Sequence, residues 1–194
     1  MHSKQVVANK NMEPYKVLQP LARLNNKWVT LIGERVEDEN GKLLDYWRVE
    51  RPDSVIVIPI FNEKILLPRA YYRHGIGDLT HDFPGGRIDG NDTTSAQAAG
   101  RVLERELKIN KNDVQSLKPI NIEGWILDSS FSNQRVYAFE AILQNEVALG
   151  KDLIFTWEPA TSEGVFKIMK LLHCLQCRHA LLEWFILRDR EIRA

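Results

Sequence analysis

The sequence predicts an α/β/α sandwich around a mixed sheet, with an N-terminal β-hairpin and C-terminal helices, and three observations predict it. Runs of β-branched and aromatic residues of strand length fill much of residues 28–72. A glycine-bearing stretch from His74 to Gly90 then leads into a segment of helical period. The other strong helical pattern gathers late, between Glu163 and Leu187. Strands that alternate with few helices, and helices gathered near the end, favour a sandwich over a doubly wound sheet.

Taken in order, residues 1–12 are polar and read as a flexible lead-in, with structure beginning near Tyr15. A single domain is expected over 13–194, with N-terminal strands at 13–50, a core at 51–160 and helices at 161–194. Trp28 to Val36 and Leu43 to Val49 alternate apolar and polar residues, and Asn40-Gly41 between them favours a tight turn, which makes a hairpin. Ser54 to Ile60 (SVIVIPI) and Ile65 to Tyr72 read as two buried central strands. Thr94 to Leu107 repeats Ala, Val and Leu at helical spacing. Asn121 to Leu127, Arg135 to Leu143 and Leu153 to Trp157 read as strands, and Glu163 to Leu187 as one or two helices.

Composition narrows the function classes. The 194 residues suffice for one well-buried domain, and 44% hydrophobic with 27% charged content excludes a disordered chain. Twenty-six basic and twenty-six acidic residues cancel, so no global field draws the protein to nucleic acid or to an anionic membrane. Cys174 and Cys177 are too few and too close for a disulfide framework, which suits a reducing interior. The first dozen residues lack a signal-peptide core and no apolar run has bilayer length, so a cytoplasmic protein without nucleic-acid or membrane partners is expected.

The segment Gly86 to Ile109 (GRIDGNDTTSAQAAGRVLERELKI) resembles a Nudix box, the loop-helix-loop whose pattern places a glycine before a set of glutamates. Its flanks strengthen the likeness. Arg51-Pro52-Asp53, then SVIVIPI, LLPRAYYR and FPGGRID, and later Ser130 to Tyr137 (SFSNQRVY), follow the order of the ADP-ribose pyrophosphatase branch. The resemblance covers roughly Trp28 to Trp157. It implies a Nudix-type fold, a homodimer, and hydrolysis of ADP-ribose or a similar nucleoside diphosphate sugar. Glutamates three and four apart on a helix share a face, so the family's carboxylates converge on Mg²⁺ or Mn²⁺. Such ions neutralise the diphosphate and activate water.

This sequence departs from that pattern in two possible registers. Counting strictly from Gly86 puts Gly100 and Arg101 at the R-E pair and Glu104-Arg105 at the E-E pair. One extra loop residue instead aligns Ala98 to Arg101 with the family's A-A-x-R, which puts Val102 at the first glutamate and Arg105-Glu106 at the pair. The second keeps Leu103 and Ile109 at apolar positions and is preferred. Either leaves one glutamate of three, and Gln134 replaces a downstream acidic residue with a group that cannot act as a base.

Three readings follow. A weak or altered enzyme would use Glu104 and Glu106 for catalysis, and Gly85 carbonyl, Glu104 and Glu106 to hold Mg²⁺ or Mn²⁺, with Asp89 or Asp92 as further replacement ligands. A metal-free nucleotide sensor would use Arg101 and Arg105, because guanidinium groups pair with phosphate oxygens. A partner-binding structural protein would have lost the ligand altogether. The resemblance also puts Arg51, Arg69, Arg73 and Gly86 near a substrate. Each has a plainer alternative: exposed ion pairs on the helix, a simple turn at Gly85-Gly86, and surface arginines. Trp28, Trp47 and Trp125 read as packing residues. His173, Cys174, Cys177 and His179 have zinc-type chemistry but no second ligand pair at a set separation, and within one amphipathic helix the cysteines read as small core residues.

Overall fold

The computed structural model describes residues 14–147, 149–150 and 152–193, so the expected lead-in at 1–12 lies outside the described residues. Contacts divide the described residues into two compact units, one reaching to Arg51 with Asp128–Asn133 and the other of Pro52–Leu127 with those from Gln134 on.

The smaller unit is a three-stranded antiparallel sheet of β1 (Lys16–Asn25), β2 (Thr30–Glu37) and β3 (Leu43–Glu50) in that order. The expected hairpin is β2 and β3. Asp38 shapes its turn, the carboxylate accepting from the backbone N–H groups of Asn40 and Lys42 at 2.9 Å each. Gly41 sits at φ +77°, where a side chain would be strained. Trp28 and Trp47 are not core residues, being 55% and 44% exposed. The Trp47 ring instead lies across Gly33, where a Cβ would come within 2.8 Å of it.

The larger unit is built on a mixed sheet. In chain order its elements are β4 (Ser54–Phe61), β5 (Lys64–Pro68), β6 (Tyr71–Arg73), β7 (Asp78–Thr80), β8 (Gly85–Arg87), α1 (Ser95–Leu107), β9 (Val114–Pro119), β10 (Trp125–Ile126), β11 (Arg135–Leu143), β12 (Ile154–Pro159), α2 (Ser162–Leu171) and α3 (Leu175–Arg193). The sheet runs β10-β11-β4-β5-β12, with β8 against β4 and β9 against β11, while β6 and β7 form a separate ribbon. Among the described residues, β4 and β11 are the one parallel pair of strands in this sheet; its other strand pairings are antiparallel.

The apolar run of β4 has a physical cause in this placement, since a central strand covered on both faces needs apolar residues at every position. Val55 and Val57 pack with Ala98, Ala99, Val102 and Leu103 of α1. Ile56, Ile58 and Ile60 pack with Val165 and Ile168 of α2 and Ala180, Leu181 and Trp184 of α3. Helices thus cover both faces, which is the expected α/β/α sandwich, with α1 between β8 and β9 and two helices at the C-terminal end.

Several boundaries differ from the sequence reading. The strand expected over residues 65–72 stops at Pro68 and resumes as the β6 ribbon, where Tyr72 is exposed. The strand expected over 121–127 shortens to Trp125–Ile126, and β9 arises instead at Val114–Pro119. The late helical pattern is two helices. Residues 172–174 leave the helix, and a backbone bridge joins Leu172 to His81. Cys174 therefore precedes a helix rather than lying inside one.

Candidate functional site

The glycine pair and α1 meet because β8 is short and lies beside β4. Gly85 opposes Ile56 and Gly86 opposes Val55, and α1 packs its apolar face over the same strand. Thr94 starts the helix by accepting from the backbone N–H of Gln97 at 3.2 Å, which satisfies one of the unpaired donors of the first turn. Helical spacing then turns Val102, Arg105 and Glu106 toward the turn. A Cβ on Gly86 would come within 2.9 Å of the Arg105 guanidinium and 3.0 Å of Val102 Cγ2, so glycine is what lets them approach.

Arg105, Glu106 and Gly85 close a ring of hydrogen bonds. Arg105 Nη2 donates to the Gly85 carbonyl oxygen at 2.8 Å and also pairs with Glu106 Oε1. The Gly85 N–H donates to Glu106 Oε2 at 3.3 Å. The Gly85 carbonyl, the oxygen expected to ligate a metal, therefore faces a guanidinium, and the carboxylate beside it is already paired. These residues do not fit the Mg²⁺ or Mn²⁺ site that the resemblance implies, because hard dications need several free oxygen ligands. Glu104 is exposed and lines a different cavity with Gln97, Gly100 and Leu117. The structure brings Gly85, Gly86, Arg105 and Glu106 together and leaves Glu104 out.

Arg101 has another task. Its Nε donates to Asp92 Oδ1 at 3.0 Å and its Nη2 to the Arg87 carbonyl at 2.8 Å, with Asp89 Oδ2 at 3.4 Å. The Asp92 side chain is 5% exposed, and the Asp89 N–H also donates to it at 2.9 Å. The Arg101 guanidinium, followed by the Asp89 N–H, holds the Asp92 carboxyl below its ordinary range, against the opposing effect of burial. Asp92 in turn raises Arg101. This pairing shapes the loop that enters α1 and engages both candidate replacement ligands.

The remaining predicted contacts are dispersed. Arg69 is exposed and lies 6.0 Å from the Tyr71 ring centroid. Arg73 is exposed and pairs with Asp82 at 2.6 Å. Arg51 belongs to the smaller unit, where its N–H donates to Asn133 Oδ1 at 2.9 Å. Gln134 is 5% exposed and its amide donates to the Pro52 carbonyl at 2.9 Å, which makes it a structural tie.

A second cluster was not anticipated as a unit. Among the described residues, one group of His, Cys, Asp or Glu side chains is close enough to share a cation: Asp82, Cys174 and Cys177, with ligand atoms within 4.8 Å of one another. His173 and His179 are not in it, and the His179 ring packs edge-on against Trp125, centroids 4.5 Å apart. Only the Cys-x-x-Cys spacing signals this cluster in the sequence; Asp82 is too distant along the chain for any local pattern to include it.

Among the described residues no helix is long and apolar enough to cross a membrane. No family model matches the sequence, and no curated protein matches it. Among solved structures, the crystal structure of an ADP compounds hydrolase matches with a TM-score of 0.76 over 95% of this chain and 100% of that chain, at 18% identity. At that identity the likeness speaks for architecture alone. The chain has the fold of that hydrolase.

Proposed function

We propose that the protein is a nucleotide-binding sensor that takes ADP-ribose or a similar nucleoside diphosphate sugar at the Gly85-Gly86 turn, with Arg105 standing where the Nudix pattern implies a divalent ion. The observation that carries this reading is the 2.8 Å contact of Arg105 with the Gly85 carbonyl. A guanidinium has five N–H donors, and a side chain 49% exposed keeps some of them turned to solvent. Those donors match phosphate oxygens, and a built-in cation needs no metal. Arg101, engaged by Asp92, Asp89 and the Arg87 carbonyl, shapes the loop in this reading rather than touching the ligand.

The placement of Val102, Arg105 and Glu106 beside the glycine pair supports the register that puts Val102 and Arg105-Glu106 at the family's glutamate positions. Hydrolysis has little support, since among the described residues the carboxylate at the Gly85-Gly86 turn, Glu106, is paired with Arg105, and Gln134 cannot act as a base. The proposal includes a cytoplasmic homodimer. Its smaller unit exposes Val17, Leu24, Leu43 and Trp47, which supports an apolar contact with a second copy.

The test is thermal stabilisation by ADP-ribose and a panel of nucleoside diphosphate sugars, with Mg²⁺ and with chelator, alongside monophosphate release. Equal stabilisation in both conditions without release is expected, and Arg105→Gln should weaken binding about tenfold or more. Metal-dependent release that disappears in Glu106→Gln would restore the hydrolase reading. No stabilisation across the panel would leave the partner-binding reading.

A further inference from the structure

We propose that Cys174 and Cys177 form a thiol–disulfide exchange centre, with Cys174 the attacking thiol, Cys177 the resolving thiol and Asp82 the carboxylate hydrogen-bonded to Cys177. The claim is independent of the nucleotide site.

The geometry is specific. The chain leaves α2 at Leu171, and the Leu172–His81 bridge holds the next turn against the loop that carries Asp82. The N–H of Arg178 donates to the Cys174 carbonyl at 3.0 Å, the first i to i+4 bond of α3, so Cys174 occupies the N-cap of a 19-residue helix. Thr94 and Thr161 fill that role in α1 and α2 with oxygen acceptors. At α3 the residue at that position carries a thiol. An acceptor there faces unpaired backbone N–H groups and the positive end of the helix dipole, which favour a thiolate over a thiol. Cys177, one turn on, is 3% exposed with its Sγ 3.9 Å from Asp82 Oδ1. Arg73 fixes the other carboxylate oxygen at 2.6 Å.

The electrostatics agree with these roles. A hydrogen bond from the Cys177 thiol, followed by the backbone N–H groups of Cys177 and Gln176, lowers the Cys174 thiol to about 6, overcoming burial and the charge of Asp82. That same hydrogen bond, with burial and the charges of Cys174 and Asp82, pushes Cys177 well above its usual range. The two shifts run in the directions these roles require, Cys174 toward the thiolate and Cys177 toward the thiol.

A cavity of about 670 Å³ opens on Cys174 and not on Cys177, with Trp125, Leu127 and Leu175 as apolar walls and Arg135 and Gln176 as polar ones. That lining fits a disulfide carrying an apolar or aromatic group. A metal is the weaker occupant of the three side chains. A closed structural zinc site takes four protein ligands, and the one carboxylate here is already engaged by Arg73.

In the reaction, the Cys174 thiolate attacks one sulfur of a substrate disulfide RS–SR, forming a Cys174–SR bond and expelling RS⁻, which takes a proton from solvent. Cys177 then gives up its proton, by way of the hydrogen-bonded Asp82 carboxylate, to solvent and attacks Cys174 Sγ, forming the Cys174–Cys177 disulfide and releasing the second RS⁻, which takes a proton from solvent. The two thiols lose two electrons, and the substrate disulfide gains them to become two thiols.

The experiment uses the full chain, reduced and then freed of reductant, with an aromatic disulfide, 5,5′-dithiobis(2-nitrobenzoate), as probe and mass spectrometry of the product. Wild type should release two thiolates per chain and end as an internal disulfide with no adduct. Cys177→Ser should release one and keep the adduct on Cys174. Cys174→Ser, which preserves an N-cap acceptor and should therefore fold, should react at least tenfold more slowly. Circular dichroism checks folding of both variants. Equal reactivity of Cys174→Ser and wild type would overturn the proposal. So would two stable adducts on wild type, or stoichiometric zinc in the purified protein whose removal is required before either thiol reacts.

Discussion

The two faces of the larger unit's sheet carry opposite chemistry. On the α1 face, Arg105 is paired with Glu106 and the Gly85 carbonyl, and Arg101 with Asp92. On the α3 face, Cys174 and Cys177 are grouped with the Asp82 carboxylate, and the nearby cation, Arg73, is paired with Asp82 rather than with a sulfur. One stretch, residues 82–86, serves both, since Asp82 reaches Cys177 and Gly85 reaches Arg105. The lesson is that a helix side chain set against a short strand can close a site or prime it. The outcome depends on whether the opposite charge lies within contact.

The strongest way to break this comparison is to remove packing from either face. Leu103 of α1 and Leu181 of α3 are both fully buried. Leu103→Ala and Leu181→Ala should each cost about 2–5 kcal/mol in urea unfolding. A cost well under about 1 kcal/mol for one of them would mean that its face is not integral to the unit.

Breaking the charge pairing comes next. Arg101→Ala leaves the Asp92 carboxylate with one backbone donor and should cost about 1 kcal/mol at neutral pH, the low end for a charged partner because the guanidinium is one-third exposed and screened. Asp92 is lowered from its ordinary value of 3.8, so its pairing contributes stability above that value and loses it as pH falls through the lower folded value. Denaturation curves of wild type and Arg101→Ala should converge in acid. A gap that widens there would show that Asp92 is not the partner that matters.

The finest distinction lies in the caps. Thr94→Ala should cost about 1 kcal/mol, because it leaves the Gln97 N–H without its acceptor. Cys174→Ser should change thermal stability by less than about 0.5 kcal/mol, since serine caps well, while removing the thiol. A large loss on Cys174→Ser would show that sulfur contributes packing there rather than reactivity.

Much of the fold was legible. Ser54 to Ile60 is apolar at every position and proved to be a strand covered on both faces. Thr94 and the alanine-rich run after it located α1 to within a residue. Val114–Pro119 was missed because its alternation is largely polar, as suits a strand paired only with β11. The split at residues 172–174 was left open because apolar residues recur through it, and only the bridge to His81 shows where the helix stops. At the site, Gly85, Gly86 and Arg105 could be picked out from motif and spacing, whereas the exclusion of Glu104 required the observed orientation of α1.

By itself the sequence determined the type of the strongly patterned elements, β2 to β5, α1, β11 and the late helices, because period and capping act between residues a few positions apart. Tertiary structure decided which charge meets which group: Arg105 on the Gly85 carbonyl, Arg101 on Asp92, and Asp82 beside Cys177. Those outcomes depend on contacts of a few ångströms between segments far apart in the chain, and electrostatic and hydrogen-bond energies fall too steeply with distance and angle for spacing alone to fix them.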